Sequence, residues 1–144
     1  MRVLIADGAE TVRSALRLLL ELRLTQVEIV EAQSVEDVER HAQDGPIDIA
    51  LIDWDLRVGG GRDAIKALRQ KQPKVPTIVL SGRPEVRQEA PAAKADAFVS
   101  KGDPPEKLLS TLNALVRGAA GTRHSCAHSA ARFPTHQTLL CVLL

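Results

Sequence analysis

Residues 47–56 read Ile-Asp-Ile-Ala-Leu-Ile-Asp-Trp-Asp-Leu, and no other stretch constrains the architecture of this chain as strongly. The run is short, aliphatic and nearly continuous, and it ends in two carboxylates, Asp53 and Asp55. An apolar run of this length is typical of a strand in a parallel sheet that is covered on both faces. The pattern predicts a buried strand over Ile47 to Ile52, with acidic side chains at its carboxyl end.

Similar apolar runs occur on either side of this strand, and stretches with helical spacing separate them. The other predicted strands are Val3 to Ala6, Val27 to Val30, Thr77 to Leu80 and Ala97 to Val99. Alternating strands and helices are typical of α/β proteins, in which helices cover both faces of a parallel sheet. We therefore expect five βα units in one domain.

The signals for the helices differ in strength. The first helix has apolar side chains three and four residues apart, and the fifth follows Pro104-Pro105, where a missing backbone donor is harmless. Ser34 followed by Asp37 indicates the cap of the second helix. The fourth helix is weak, because Pro91 would remove a backbone hydrogen bond and clash with the preceding turn. We expect it to be short or broken, with irregular structure as far as Lys94.

The composition of the 144 residues excludes several classes of protein. There are two Phe, one Trp and no Tyr, which counts against binding single-stranded nucleic acid by base stacking. The net charge of +1 gives no electrostatic footprint for DNA. The chain also begins without the apolar segment of a signal peptide. We expect a cytoplasmic protein that does not contact nucleic acid directly.

The composition changes near residue 118. Residues 118–144 contain both cysteines, three of the four histidines and no acidic residue, whereas residues 1–117 contain all 18 acidic residues and carry a net charge of −1. The closing apolar run, residues 139–144, is far shorter than the ~20 residues that cross a bilayer. We predict one domain over residues 1–117 and, over 118–144, a tail that is disordered or a non-native extension.

Polar side chains follow four of the predicted strands. They are Asp7, Asp53 with Asp55, Ser81 and Lys101. Each has an ordinary alternative role, either as a helix cap or as a solvated charge. Because parallel strands bring their carboxyl ends to one edge of the sheet, where ligands bind, we expect these side chains to converge. A carboxylate nucleophile with a hydroxyl, an ammonium and an oxygen-ligated Mg²⁺ suits phosphoryl transfer.

These segments together resemble a known family, the receiver domains of bacterial two-component response regulators. The matching stretches are Arg-Val-Leu-Ile-Ala-Asp at 2–7, residues 47–56, Pro-Thr-Ile-Val-Leu-Ser-Gly at 76–82, and Ala-Asp-Ala-Phe-Val-Ser-Lys-Gly-Asp-Pro-Pro-Glu-Lys-Leu-Leu at 95–109. The resemblance implies a flavodoxin-like, doubly wound (βα)5 fold with five parallel strands in the order 2-1-3-4-5.

The resemblance also implies a role for each matching residue. Asp53 corresponds to the phospho-acceptor, Asp7 to an acidic residue of the metal pocket and Lys101 to the family's lysine. Ser81 and Phe98 correspond to the switch pair. The implied cofactor is Mg²⁺, held by Asp7, Asp53 and Asp55. The implied partner is a sensor histidine kinase or a phosphotransfer protein. Such receivers also commonly form homodimers through their fourth and fifth helices.

Three departures from the family pattern bear on these expectations. Gly8 stands where a second acid normally ligates the metal directly, so metal binding is expected to be weak, with Glu10 or Asp55 as possible substitutes. Arg57 replaces a common proline, and we expect it to point to solvent rather than into the pocket. The interval from Ser81 to Phe98 is also two residues shorter than usual.

Three functions follow, two of which keep the signalling role. The first is a working receiver that accepts a phosphoryl group on Asp53. The second is a degenerate pseudo-receiver that binds a partner without phosphorylation. The third is an enzyme, since Asp53-Trp54-Asp55 also resembles the D-x-D of haloacid-dehalogenase-like phosphatases. That family carries its D-x-D on the first strand and adds a later acidic pair, so we expect no enzyme here.

Overall fold

The strands form one parallel sheet whose order agrees with the expectation. The computed structural model describes residues 1–121. The strands are β1 (Arg2–Ala6), β2 (Glu28–Ala32), β3 (Ile49–Asp53), β4 (Thr77–Ser81) and β5 (Ala97–Ser100). Their order in the sheet is β2-β1-β3-β4-β5, with every neighbouring pair parallel. The predicted flavodoxin-like fold is confirmed.

Helices connect successive strands, and the last one follows β5. They are α1 (Glu10–Arg23), α2 (Val35–Asp44), α3 (Gly60–Lys71), α4 (Val86–Glu89) and α5 (Pro105–Gly121). The predicted cap of α2 is present, because the Ser34 hydroxyl accepts a hydrogen bond from the backbone of Asp37. The strand ends shift by one or two residues from the prediction, so that Asp53 and Ser81 are the last residues of their strands rather than the first after them.

Alternate residues of the strands feed two separate hydrophobic layers. On β1, Leu4 packs into the layer under α2 and α3, while Val3 and Ile5 pack into the layer under α1 and α5. This alternation follows from the two-residue period of a strand. With apolar side chains on both faces, the sheet exposes its polar groups mainly at its edges, and the carboxyl edge is where the site lies.

The fourth helix is reduced to one turn, as Pro91 predicts. It passes directly into a 3₁₀ turn over Ala90–Ala93, which ends at Lys94 in the left-handed region with φ of 66°. Pro91 lies in the first turn of this 3₁₀ segment, where its missing N–H breaks no bond. The irregular segment therefore replaces a full helix between β4 and β5.

The last helix continues beyond the change in composition. α5 runs to Gly121, so the predicted domain end at residue 117 falls inside the helix, and the start of the predicted tail is helical. The rest of the predicted tail lies outside the described residues. In residues 1–121 no helix is both long enough and apolar enough to cross a membrane.

Candidate functional site

Asp53 lies at the carboxyl end of β3 and is almost fully buried. Its residue is 6% exposed. Oδ1 accepts a hydrogen bond from the backbone N–H of Asp55 at 3.2 Å and lies 3.2 Å from the Lys101 ammonium. Within residues 1–121 no hydrogen bond reaches the second oxygen, Oδ2.

Asp7 and Lys101 complete a compact charged cluster with Asp53. Asp7 follows β1 and is 2% exposed, and its Oδ1 accepts from the backbone N–H of Ala9 at 2.8 Å. Its Oδ2 accepts from Lys101 Nζ at 2.9 Å. One ammonium therefore contacts both carboxylates, and the predicted convergence of these three residues is what the structure shows.

The charges in this cluster shift the pKa values of two of its members. Burial, reinforced by the neighbouring Asp7 charge, raises the pKa of Asp53 above its usual 3.8 despite the favourable bonds from Asp55 and Lys101. Burial alone would lower the pKa of Lys101, but the two carboxylates outweigh it and raise that pKa above 10.5. The pocket therefore holds a firmly charged lysine beside a carboxylate whose charge is disfavoured.

Ser81 and Phe98 occupy the strands next to this cluster. Ser81 ends β4, which pairs with β3, and its buried Oγ accepts from the backbone N–H of Arg83 at 3.0 Å. Phe98, on β5, is buried in the layer under α3, and the guanidinium of Arg87 lies 5.1 Å from its ring centre. The predicted switch pair thus has its hydroxyl at the edge of the sheet and its aromatic ring inside.

The two candidate substitutes for the missing acid lie apart from the cluster. Asp55 is exposed, and its Oδ1 accepts from Arg83 Nη2 at 2.7 Å. Glu10 is the exposed first residue of α1. Within residues 1–121 no three acidic, histidine or cysteine side chains gather in a way that could hold a metal ion. Mg²⁺ commonly takes one or two carboxylates and keeps several waters, so Asp7 and Asp53 are the pair at this edge that could contribute to such a site.

Gly8 and Arg57 meet at the place where the family's second acid would stand. A Cβ atom on Gly8 would lie 3.0 Å from Cγ and 3.3 Å from Cδ of Arg57. The Arg57 residue is exposed, as expected, but its aliphatic stem lies against Gly8. Arg57 is therefore exposed to solvent, as expected, while its aliphatic stem also occupies the space beside Gly8.

One buried residue of the site, Arg13, is absent from the residues predicted from the sequence. Arg13, in α1, is 6% exposed, and its Nη1 donates to the backbone carbonyl of Asp7 at 2.7 Å. Its Nε lies 3.3 Å from a carboxylate oxygen of Glu31 without a hydrogen-bond geometry. Arg17, one helical turn later, contacts the same Glu31. Two arginines four residues apart opposite an acid on β2 were the pattern that could have revealed this support.

A doubly wound sheet with an acidic pair and a lysine at its carboxyl edge defines the class of two-component signalling domains. Residues 3–113 match the family described as "Response regulator receiver domain". The chain belongs to this family.

Individual relatives agree with the assignment. Response regulator UvrY of Escherichia coli K12 is 27% identical over 121 residues, which cover 82% of this chain and 55% of UvrY. The uncharacterized response regulatory protein Rv3143 of Mycobacterium tuberculosis is 30% identical over 125 residues, covering 83% of this chain and 94% of Rv3143. The crystal structure of a LuxR-family response regulator from Aurantimonas superposes with a TM-score of 0.74 at 25% identity, covering 81% and 85% of the two chains. The chain spans about half the length of UvrY.

Proposed function

We propose that this receiver accepts a phosphoryl group on Asp53 from the phosphohistidine of a sensor histidine kinase or a phosphotransfer protein. A carboxylate oxygen of Asp53 forms the new bond to phosphorus, while the bond from phosphorus to the histidine nitrogen breaks and its electron pair stays on the imidazole. The observation that carries the proposal is the buried Asp53 carboxylate with the Lys101 ammonium 3.2 Å away. That ammonium is placed to offset charge on the phosphoryl oxygens.

The remaining residues of the cluster act on the consequences of phosphorylation. The new phosphoryl group needs hydrogen-bond donors, and the Ser81 hydroxyl at the end of the neighbouring strand can supply one. Drawing Ser81 inward would alter the loop that follows β4, and Phe98 would adjust with it. A phosphoryl group shifts the population of two surfaces only by its different affinity for each of them. The changed surface is the signal that a partner reads.

Divalent metal binding is part of this proposal only in a weak form. Receiver domains generally bind Mg²⁺. In this chain the carboxylates of Asp7 and Asp53 would hold it, with the backbone of Asp55 beside them. Because Gly8 supplies no ligand, we assign Mg²⁺ a low affinity here and derive no step from it.

The test is chemical labelling of the acceptor. The full chain is incubated with acetyl phosphate or a phosphodonor kinase over a range of Mg²⁺ concentrations, and the adduct is measured by intact mass. We expect a single phosphoryl adduct that Asp53→Asn abolishes. Asp63→Asn, a change of the same kind at an exposed position on α3, is the matched control and should retain the adduct. Absence of an adduct under every condition would refute phosphorylation.

The second candidate is the pseudo-receiver, which the contact between Gly8 and Arg57 favours. In that case the fold binds its partner without a phosphoryl group, and Asp53→Asn leaves partner binding unchanged.

We also propose that the chain is not an enzyme on a separate substrate, because the Asp55 carboxylate is engaged by Arg83 rather than by the pocket. Hydrolysis of an aryl phosphate that Asp55→Asn abolishes would contradict this. A homodimer through α4 and α5, without nucleic-acid contact, remains part of the proposal.

A further inference from the structure

The space beside the acidic pair is filled by the stem of an arginine. Gly8 directly follows Asp7, and the two atoms nearest to its missing Cβ are Cγ and Cδ of Arg57. A side chain at position 8 would therefore meet the Arg57 stem at 3.0 Å, closer than ordinary contacts allow. Glycine at position 8 and arginine at position 57 are sterically matched to each other.

The charged end of Arg57 lies near position 8. Its guanidinium carbon is two bonds beyond Cδ, which places it within about 6 Å of the position-8 Cβ by standard bond lengths. Within residues 1–121 the Arg57 side chain has no hydrogen bond or ion pair, although most arginines of this domain are paired. An unpaired guanidinium near position 8, the residue next to Asp7, would repel a divalent cation that reached this side of the pocket.

We propose that Arg57 excludes divalent metal from the acidic pair of this receiver, its stem occupying the place of the absent ligand and its guanidinium opposing the metal charge. The pair then relies on cations that the chain itself supplies. Lys101 already contacts both carboxylates. The inference rests on the proposed function only in using the same pocket, because it concerns the affinity for the metal rather than phosphorylation.

Substitutions at position 57 separate the steric effect from the charge. Arg57→Met keeps a stem of similar length and removes the charge, whereas Arg57→Ala removes both. Gly8→Asp alone adds a carboxylate that must push the stem aside, and Gly8→Asp with Arg57→Ala restores the ligand in a cleared space. Arg117→Ala, at an exposed position near the other end of α5, removes the same charge away from the pocket.

The experiment is a titration of each full-length variant with MgCl₂ at constant ionic strength, followed by Trp54 fluorescence and by calorimetry. Arg57→Met should bind Mg²⁺ more tightly than the wild type, and Arg57→Ala should bind at least as tightly as Arg57→Met. The double variant should gain at least about tenfold over the wild type, a scale set by the loss that follows removal of a supporting group from a metal site. Its gain should exceed the product of the two single gains.

Two results would overturn the proposal. One is unchanged Mg²⁺ affinity in both Arg57→Met and Arg57→Ala relative to Arg117→Ala. The other is an affinity of Gly8→Asp alone that equals that of the double variant, since Arg57 would then be irrelevant to the site. If the Gly8→Asp variants do not fold, as judged by circular dichroism, the position-57 variants still decide the question. Labelling of Asp53 by acetyl phosphate is measured separately, so its failure refutes phosphorylation and leaves the metal result intact.

Discussion

Asp53 carries a negative charge that its surroundings disfavour. Its pKa is raised in the folded protein, chiefly by burial and by the Asp7 charge. The unfolded chain therefore releases this proton at a lower pH than the folded chain does. It follows that Asp53 lowers the free energy of unfolding as the pH rises from its usual pKa through the raised value, and that the loss is complete above that value.

Asp53→Asn is therefore expected to stabilise the protein at pH 7. The gain should shrink as the pH falls through the same window, because the wild-type carboxyl becomes neutral there. Urea denaturation measures this difference at pH 7 and at about pH 3.5, which lies below the usual aspartate pKa of 3.8. Asp63→Asn on the exposed face of α3 should show no comparable gain. A variant less stable than the wild type at pH 7 would contradict the argument.

Gly61 lies against the backbone of Asp53 and Trp54. A Cβ atom at this position would lie 2.6 Å from the carbonyl oxygen of Asp53 and 2.6 Å from Cα of Trp54, both backbone atoms that cannot rotate away. Gly61→Ala should therefore lower the free energy of unfolding by about 1–3 kcal/mol, as overpacking does. It should also disturb labelling of Asp53.

The control for this change is Gly82→Ala, where an added Cβ would meet nothing within 4 Å. We expect Gly82→Ala to change stability by less than about 0.5 kcal/mol, the range of ordinary surface substitutions. Equal unfolding midpoints for the two variants in urea would show that the close approach at Gly61 is relaxed at no cost.

At the scale of elements, the segment that follows the shortened fourth helix is held by the side chain of Arg69 on α3. We call its contacts the Arg69 clasp. Arg69 donates to the backbone carbonyls of Pro73 and Lys94 and to the carboxylate of Asp96. That carboxylate also accepts from the backbone N–H of Thr77, at the start of β4. One guanidinium thus fixes the end of the 3₁₀ turn relative to both α3 and the sheet.

Removing this clasp should loosen the segment that precedes β5. Arg69→Met keeps the stem and is expected to cost about 1.5–3 kcal/mol, the range for hydrogen bonds to charged groups. Hydrogen exchange should show the largest increase in residues 86–96. Lys66→Met, at an exposed position on the same helix, is the matched control. Uniformly raised exchange throughout the sheet would instead indicate that the clasp supports the whole domain.

The sequence predicts the weak fourth helix, but it does not predict the contact between Arg69 and Asp96 that holds this segment in place. Pro91 acts locally, since a proline disrupts the turn in which it lies, and so its effect is visible in the sequence. Arg69 and Asp96 are 27 residues apart, and their contact depends on how α3 is oriented against the sheet. No periodic pattern records such a pairing. Arg13 differs, because its four-residue spacing from Arg17, opposite Glu31 on β2, is visible in the sequence.

At the scale of the molecule, the repeated pattern of apolar strands and amphipathic helices predicts the fold. The same pattern predicts only part of the site. Strand ends in a parallel sheet must share an edge, which places Asp7, Asp53 and Lys101 together whatever the details. Where an exposed side chain turns depends on its partners, and Arg83 draws the Asp55 carboxylate away from the pair. Of the three residues predicted to hold the metal, the structure brings the carboxylates of Asp7 and Asp53 together, whereas the Asp55 carboxylate lies against Arg83.

The contact between Lys101 and Asp7 joins residues that are 94 positions apart, from β1 across β3 and β4 to β5. During synthesis the amino-terminal residues emerge first, yet they cannot acquire this contact until the fifth strand has left the ribosome. A nascent or half-folded chain thus contains Asp7 and Asp53 without their contacts to Lys101. The complete pocket therefore exists only in a chain that has folded as far as β5. A phosphodonor that requires the contact between Lys101 and Asp7 would not act on incomplete chains.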